Sequence, residues 1–386
     1  MMPPTAVLLL LLWIACRRAC CWAVGWGLPS GVRWHFRHFL GTEMELSISS
    51  ARMLQQLPHK HIRDRVPRSV LPFSNGAGDA ILGSAGVLWD DQRPVLHPFI
   101  GKDMAKSWLP ALSRELRFPR REGSVDLFDS VMAHISRISS ESLGLREHRF
   151  PYEVLISEGL WKHGLEYLLP EQLLPSGWSE FWASRYDIAS VIRDDTPLFR
   201  TLCERYGKAQ AVGHLFVLKL GSTLPETGMV CDILLHLAAN SEEQQRLFET
   251  VRPDGDEAAF ESEMRVLAKR FPYFKVVMRW TTEPIDLAGT TIPPGTACAF
   301  RLHEANNNGS SSKSFSWGCG IRACPGRALG FRTVCAVVSG ILRRYQLSFA
   351  PSWSWRLLKS VHTDRIGESY LLRPMLSYQA RKAMDA

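Results

Sequence analysis

A mainly α protein carrying small β-sheets is the fold class this sequence predicts, on three observations. Long stretches place apolar residues at helical spacing, strand signals are few and short, and turn-forming residues gather in a few places. The first helical stretch, residues 125–143, has Val125, Phe128, Val131, Ile135 and Ile138 on one face. The second, residues 211–240, is a long apolar helix interrupted by Gly221 and Pro225. The third, residues 331–345, ends near Arg343-Arg344, where cations complement the helix dipole. Strand signals are confined to residues 284–291, followed by Ile292-Pro293-Pro294-Gly295, and to the tail at 369–378. Gly/Pro-rich segments at 25–31 and 67–86 read as loops, and so does the polar stretch 301–314 with its NNNGSSSKS run. No internal repeat is present.

The chain has 386 residues, 46% hydrophobic and 22% charged, an ordinary globular balance. A net charge of +8 suits anionic partners, such as acidic lipid surfaces or an acidic protein donor. No Lys/Arg run or RNA-binding signature accompanies it, which argues against nucleic acid. The nine cysteines, at 16, 20, 21, 203, 231, 298, 319, 324 and 335, follow neither a disulfide framework nor paired zinc knuckles. That scatter places the body in a reducing compartment.

Residues 5–16 (TAVLLLLLWIAC) are uncharged and closed by Arg17-Arg18. A full span needs about 20 apolar residues, a length regained only by continuing through ACCWAVGWGLP with the arginines snorkelling. A cleaved signal peptide usually carries positive charge before its apolar core, and this one does not. Positive charge after the run puts the body in the cytosol. Residues 1–27 therefore read as a single membrane anchor, with a cleaved signal as the alternative, and 28–386 as the catalytic body.

The most informative segment runs from 315 to 329, FSWGCGIRACPGRAL. Gly318, Gly320 and Gly326 surround Cys324, and a periodic apolar helix follows at once. A cysteine at a loop-to-helix junction has free N–H groups and a positive helix end beside its sulfur, both favouring thiolate. Glycines let the backbone approach a flat cofactor, and Arg322 offers a charged fork for a carboxylate.

This segment resembles the haem-binding signature of the cytochrome P-450 superfamily, an aromatic residue followed by G-x-R-x-C-x-G. Gly320, Arg322, Cys324 and Gly326 match it, Trp317 stands where Phe is usual, and Phe315 lies two residues earlier. The resemblance implies haem b with Cys324 as axial iron ligand, pushing electron density toward O–O cleavage, and Arg322 on a propionate. Cys319 is a rival ligand whose register matches nothing around it. Histidines such as His236 and His303 are not needed as ligands. The resemblance also implies a monomeric monooxygenase of the endoplasmic reticulum membrane, acting on a small hydrophobic substrate. Its electrons would come from NADPH through a reductase or a cytochrome b5-type donor.

Other segments extend the likeness across residues 80–380. Trp89 and Arg93 resemble the family's W-x-x-x-R propionate contact, although Pro94 is awkward in a helix. Residues 214–240 resemble the long helix crossing the oxygen face, where an acid–threonine pair relays protons. Two registers compete: Ser222-Thr223 before Leu224-Pro225, similar to sterol hydroxylases and prostacyclin synthase, and Glu226-Thr227, the literal acid–alcohol pair. The first is preferred because Pro225 then falls where that subgroup has it. Residues 274–300 are similar to the family's stretch after its ExxR helix, through Arg279, Glu283, Leu287, Gly289, Ile292, Pro293 and Gly295. The ExxR pair itself is imperfect; the nearest is Glu261 with Arg265. Two regions look abbreviated, the N-terminal sheet between 29 and 79 and the stretch at 301–314. Ser222 in place of the acid opens a second reading, an isomerase or dehydratase needing no reductase. The abbreviations open a third, a truncated non-catalytic homologue.

Overall fold

The computed structural model describes residues 12–16, 19–20, 28, 30, 32–36, 44–57, 62–63, 80–81, 84, 86–101, 116–118, 122–146, 188–287, 289–308, 313–348 and 375–381. Most of the anchor candidate at 1–27, the loop at 67–79 and the tail at 369–374 lie outside them. Among the described residues no helix is long and apolar enough to cross a membrane.

The body is mainly helical with small sheets, as the patterning predicts. In chain order, β1 (Val32–Phe36), β2 (Met44–Ile48), α1 (Ala51–Gln56) and β3 (Ile62–Arg63) come first. The segment read as an abbreviated sheet thus supplies three strands. They join β5 and β8, defined below, in a five-stranded sheet ordered β1-β2-β8-β5-β3, with only β2 and β8 parallel. The chain continues through α2 (Val87–Ile100), β4 (Glu122–Asp126) and α3 (Leu127–Leu143). Val125, read as helical, lies in β4, because the Asp126 carboxylate accepts the Asp129 N–H at 3.0 Å and caps the helix there. The helix stops at Gly144, whose φ of +70° favours glycine and whose added Cβ would lie 2.2 Å from Thr196 Cγ2.

Next come α4 (Pro197–Tyr206), α5 (Lys208–Gly221) and α6 (Leu224–Ala239). The single interrupted helix expected over 211–240 is two helices, broken at Ser222-Thr223. Pro225 takes a first-turn position of α6, where its missing N–H costs nothing. Helix α6 is buried nearly all round, through Met229, Val230, Ile233, Leu234 and Leu237. A helix apolar on every side belongs in a core, and this one packs between α3 and the long helix that follows Cys324. Burying five such side chains contributes of order 10 kcal/mol before entropy is counted.

Beyond α7 (Ser241–Val251) and α8 (Glu257–Arg270) lie β5 (Val276–Thr281), β6 (Ile285–Leu287), β7 (Thr290–Ile292) and β8 (Ala297–Arg301). The strand expected at 284–291 is a hairpin: Gly289 turns the chain at φ +89° and the Asp286 carboxylate accepts its N–H at 3.1 Å. The polar loop expected at 301–314 opens as a helix, α9 (Leu302–Asn307). Leu302 and Ala305, one turn apart, bury against the five-stranded sheet's core with Leu46, Ile48, Phe300 and Phe315. Finally α10 (Arg327–Arg344) leads into β9 (Tyr345–Ser348), which pairs with β10 (Met375–Ala380) and through it with β4. The helix predicted at 331–345 thus starts four residues earlier, directly after the cysteine loop, and Tyr345 opens the strand.

Candidate active site

The cysteine loop hangs between two cores. At its start Phe315 is buried in the sheet's core, and at its end α10 buries Leu329, Val334, Val338 and Ile341 against the helices. In between, Gly318 and Gly320 adopt φ of +77° and +70°, conformations that side chains disfavour. The Gly318 N–H donates to Phe315 O at 2.8 Å, and a 3-10 turn spans Gly320–Arg322. The Cys324 N–H donates back to Trp317 O at 2.8 Å, closing the loop on itself. Gly326 has an ordinary backbone; a Cβ there would lie 3.9 Å from Cys324 Sγ, so glycine keeps the sulfur's surroundings open.

Cys324 is exposed, yet burial is the largest influence on its thiol, pushing it up to about 11. The residue is thus accessible at its surface, while protein packed around it desolvates the thiol. The neighbouring Glu226 charge adds to the rise, while the Gly326 backbone and the guanidinium groups of Arg93 and Arg327 oppose it. The junction by itself therefore does not produce the thiolate expected from its position, because desolvation outweighs the helix end. Coordination to a metal would supply the remaining stabilisation, as it deprotonates a thiol outright.

Beside the sulfur the structure brings Trp89, Arg93 and Arg322 together. The Arg322 guanidinium lies 4.1 Å from the Trp89 ring centre and Arg93 5.0 Å from it. The Arg322 Nη2 donates to Ser84 O at 2.8 Å, and Arg93 donates to Ile321 O. Helix α2 continues through Pro94 and Pro98 despite the lost N–H groups. Sequence reasoning missed Ser84 and Gln92: the Ser84 hydroxyl donates to the buried Gln92 Oε1 at 2.7 Å, bracing the carbonyl that holds Arg322. Neither carries a signal beyond lying near Trp89.

At the α5–α6 break the four candidates separate. The Ser222 hydroxyl donates to Leu218 O at 2.7 Å and meets Ser139 Oγ, and the Thr227 hydroxyl donates to Thr223 O at 2.7 Å. Both are satisfied locally. Thr223 Oγ1 and Glu226 Oε2 are buried without a hydrogen-bond partner. Burial pushes the Glu226 carboxyl up to about 8. A Cβ added at Gly330 would lie 3.0 Å from Glu226 Oε1 and 2.9 Å from the Trp317 ring, so carboxyl and indole meet over that glycine. Glu226 thus faces the cysteine loop.

Other groups are structural. His214 is fully buried with both ring nitrogens unpartnered, packed against Tyr206, and burial lowers its pKa to about 4, leaving it neutral. His236 pairs with Glu243 at 2.8 Å. The Glu261–Arg265 pair forms at 3.2 Å, but both side chains are exposed, so it supplies only about 0.3–0.5 kcal/mol. Among the described residues no three His, Cys, Asp or Glu side chains converge on a metal site.

No family model and no curated protein matches this sequence. Solved structures do match the fold. One is the crystal structure of CYP175A1 from Thermus thermophilus, with a TM-score of 0.68 and 16% identity over 97% of this chain and 95% of that one. Another is the heme domain of a cytochrome P450DA mutant, with a TM-score of 0.69 and 12% identity over 93% and 91%. The chain has a cytochrome P450-like fold. The residues present suit that family's haem: an accessible thiol, two guanidinium groups on one indole, and an orphaned hydroxyl on the helix break.

Proposed function

We propose that this chain is a haem-thiolate monooxygenase that inserts one oxygen atom from O2 into a small hydrophobic substrate. The observation that carries the proposal is the exposed Cys324, three residues before α10 and flanked by the Arg93–Trp89–Arg322 stack. When bound, haem b would supply the dioxygen and redox chemistry, and Cys324 would hold its iron through the sulfur. The protein's part is binding and orientation. Arg93 and Arg322 present cations for the propionates, and Trp89 holds both guanidinium planes. Gly318 and Gly320 bend the loop so that Cys324 stays exposed, Trp317 lies beside it as an apolar surface, and Phe315 anchors the loop in the sheet's core. The Thr223 hydroxyl, free of intramolecular bonds, holds and passes a proton on the substrate side, and Ser222 and Thr227 fix the helix break. Electrons come from NADPH through a reductase, or from a cytochrome b5-type donor, docking on a basic surface. The N-terminal segment at 1–27 anchors a monomer in the endoplasmic reticulum membrane, with the body cytosolic.

One observation favours a second reading. Ser222 occupies the acid's place before Thr223 and its hydroxyl is tied to Leu218 O, so a dedicated proton donor is lacking there. A reductase-independent isomerase or dehydratase acting on an oxygenated lipid needs no such donor, and the Thr223-Leu224-Pro225 run, similar to sterol hydroxylases and prostacyclin synthase, agrees with it. Haem-loaded protein with NADPH and a reductase decides between them. Under the first reading NADPH is consumed with hydrophobic substrate, and Thr223→Ala lowers coupled product formation about tenfold or more. Turnover of a lipid hydroperoxide without NADPH, unaffected by the reductase, supports the second reading instead.

A further inference from the structure

We infer that Asn306 and Ser316 form a buried hydrogen-bond clamp that positions Cys324; the inference rests on the haem-thiolate reading above. Both side chains are buried, at 3% and 6% exposure. Asn306 Oδ1 accepts the Phe315 N–H at 2.8 Å, which leaves its Nδ2 to donate to Ser316 Oγ at 3.0 Å. The Ser316 hydroxyl then has one proton to give, and it goes to Ala268 O near the end of α8 at 2.7 Å. Each direction follows from the one before, because a backbone N–H can only donate and a carbonyl can only accept. The framework continues into the loop: Phe315 O accepts the Gly318 N–H, and Trp317 O accepts the Cys324 N–H, each at 2.8 Å. Hydrogen bonds therefore tie both α8 and α9 to Phe315 and Ser316, and the adjoining Trp317 O holds the N–H of the residue bearing the sulfur.

The Ser314 hydroxyl joins the clamp, donating to Ser316 Oγ at 3.1 Å and accepting the Ser316 N–H at 3.3 Å, whereas the charged groups nearby act elsewhere. The Glu261–Arg265 pair is exposed, and Arg265 lies over the Phe331 ring of α10. Arg301, at the start of α9, pairs with Glu304 and donates to Ser47 Oγ in β2. The far end of the loop is held by the Arg322–Ser84 and Arg93–Ile321 bonds. The clamp serves the near end, where the chain enters from 309–312. The six residues of α9 bury Leu302 and Ala305 and turn Asn306 toward the loop, so Asn306 is a positioning residue.

The test uses full-length haem-loaded protein, reduced under carbon monoxide, and follows first-order loss of the long-wavelength band that gives the cytochrome family its name. Asn306→Ala strands the buried Phe315 N–H and should speed that loss about tenfold or more. Ser316→Ala should have a similar effect, and the double variant should be no more than about threefold faster than either single one, because the groups act as one unit. Far-UV helix melting of the same variants should shift far less. Rates within about twofold of the parent, or band loss in step with helix melting, would overturn the clamp. Amide exchange of haem-free protein separates this from the functional reading. Phe315 and Cys324 N–H groups should exchange about tenfold faster in Asn306→Ala, and equal exchange overturns the clamp. A parent protein without the band counts against haem-thiolate ligation, and the exchange result then decides the clamp alone.

Discussion

Replacing Cys324 by Ser is expected to abolish thiolate ligation and all haem-dependent oxygenation, while Cys319→Ser leaves both intact. The two cysteines lie five residues apart in one loop, and their surroundings differ in kind. Cys324 is exposed and lies three residues before α10, with Arg93 and Arg327 acting electrostatically on its sulfur. Cys319 has extended backbone at φ −144° and packs partly buried against the sheet's core. A serine hydroxyl at 324 is a far weaker, harder ligand that iron cannot readily deprotonate, so the effect is loss of function rather than attenuation. Pyridine-type haem quantification alongside activity checks the pair: residual oxygenation in Cys324→Ser, or its loss in Cys319→Ser, contradicts the assignment.

Glu226→Gln is expected to stabilise the haem-free protein above neutral pH and to lower the Cys324 thiol pKa. Burial raises the carboxyl from 4.5 to about 8 in the folded state. Below the ordinary value both folded and unfolded chains carry the proton, and Glu226 costs nothing. Between the two values the unfolded chain ionises while the folded one stays neutral, so its contribution to stability falls as pH rises, and the full penalty stands above about 8. The glutamine amide is neutral throughout, so the variant gains on the parent across this window by an amount on the order of several kcal/mol. The comparison must be between the two proteins. His214, lowered to about 4, makes stability rise from there toward its ordinary 6.5. Lys219 is buried in a cage of Ser136 and Ser140 oxygens, and burial lowers its pKa to about 7. Its penalty is largest below that value and is relieved as pH climbs toward 10.5. Denaturant midpoints at several pH values measure the difference; parallel curves for parent and variant contradict the buried-carboxyl account. The same substitution removes the negative charge that raises the Cys324 thiol, which thiol titration of the haem-free protein reads directly.

Much of this was legible in the sequence because periodicity and local chemistry act over short distances. The helix of 127–143, the break before Pro225 and the helix after Cys324 each follow from apolar spacing and from residues that cannot continue a helix. The glycines at 318 and 320 were visible too, but as room for a flat cofactor; their positive φ is a demand of the loop that only the structure shows. What stayed hidden depends on partners far along the chain. Residues 301–308 carry polar side chains that read as loop, and only the sheet core buries Leu302 and Ala305 firmly enough to form α9. The sequence favoured the Ser222-Thr223 register over Glu226-Thr227, but the structure divides both pairs: local bonds to Leu218 O and Thr223 O satisfy Ser222 and Thr227, and Thr223 and Glu226 are left without partners. The junction at Cys324 suggested a thiolate, and only the enclosure around it shows that burial prevails. Ser84 and Asn306 act on the loop from 238 and 9 residues away, through backbone atoms that no motif marks.

The most direct test is a difference spectrum of the full-length, haem-loaded protein, reduced and exposed to carbon monoxide. A thiolate from Cys324 bonded to iron predicts the family's long-wavelength band at an intensity matching the haem content. Folded, haem-replete protein that shows only the shorter-wavelength band of neutral ligation would contradict it.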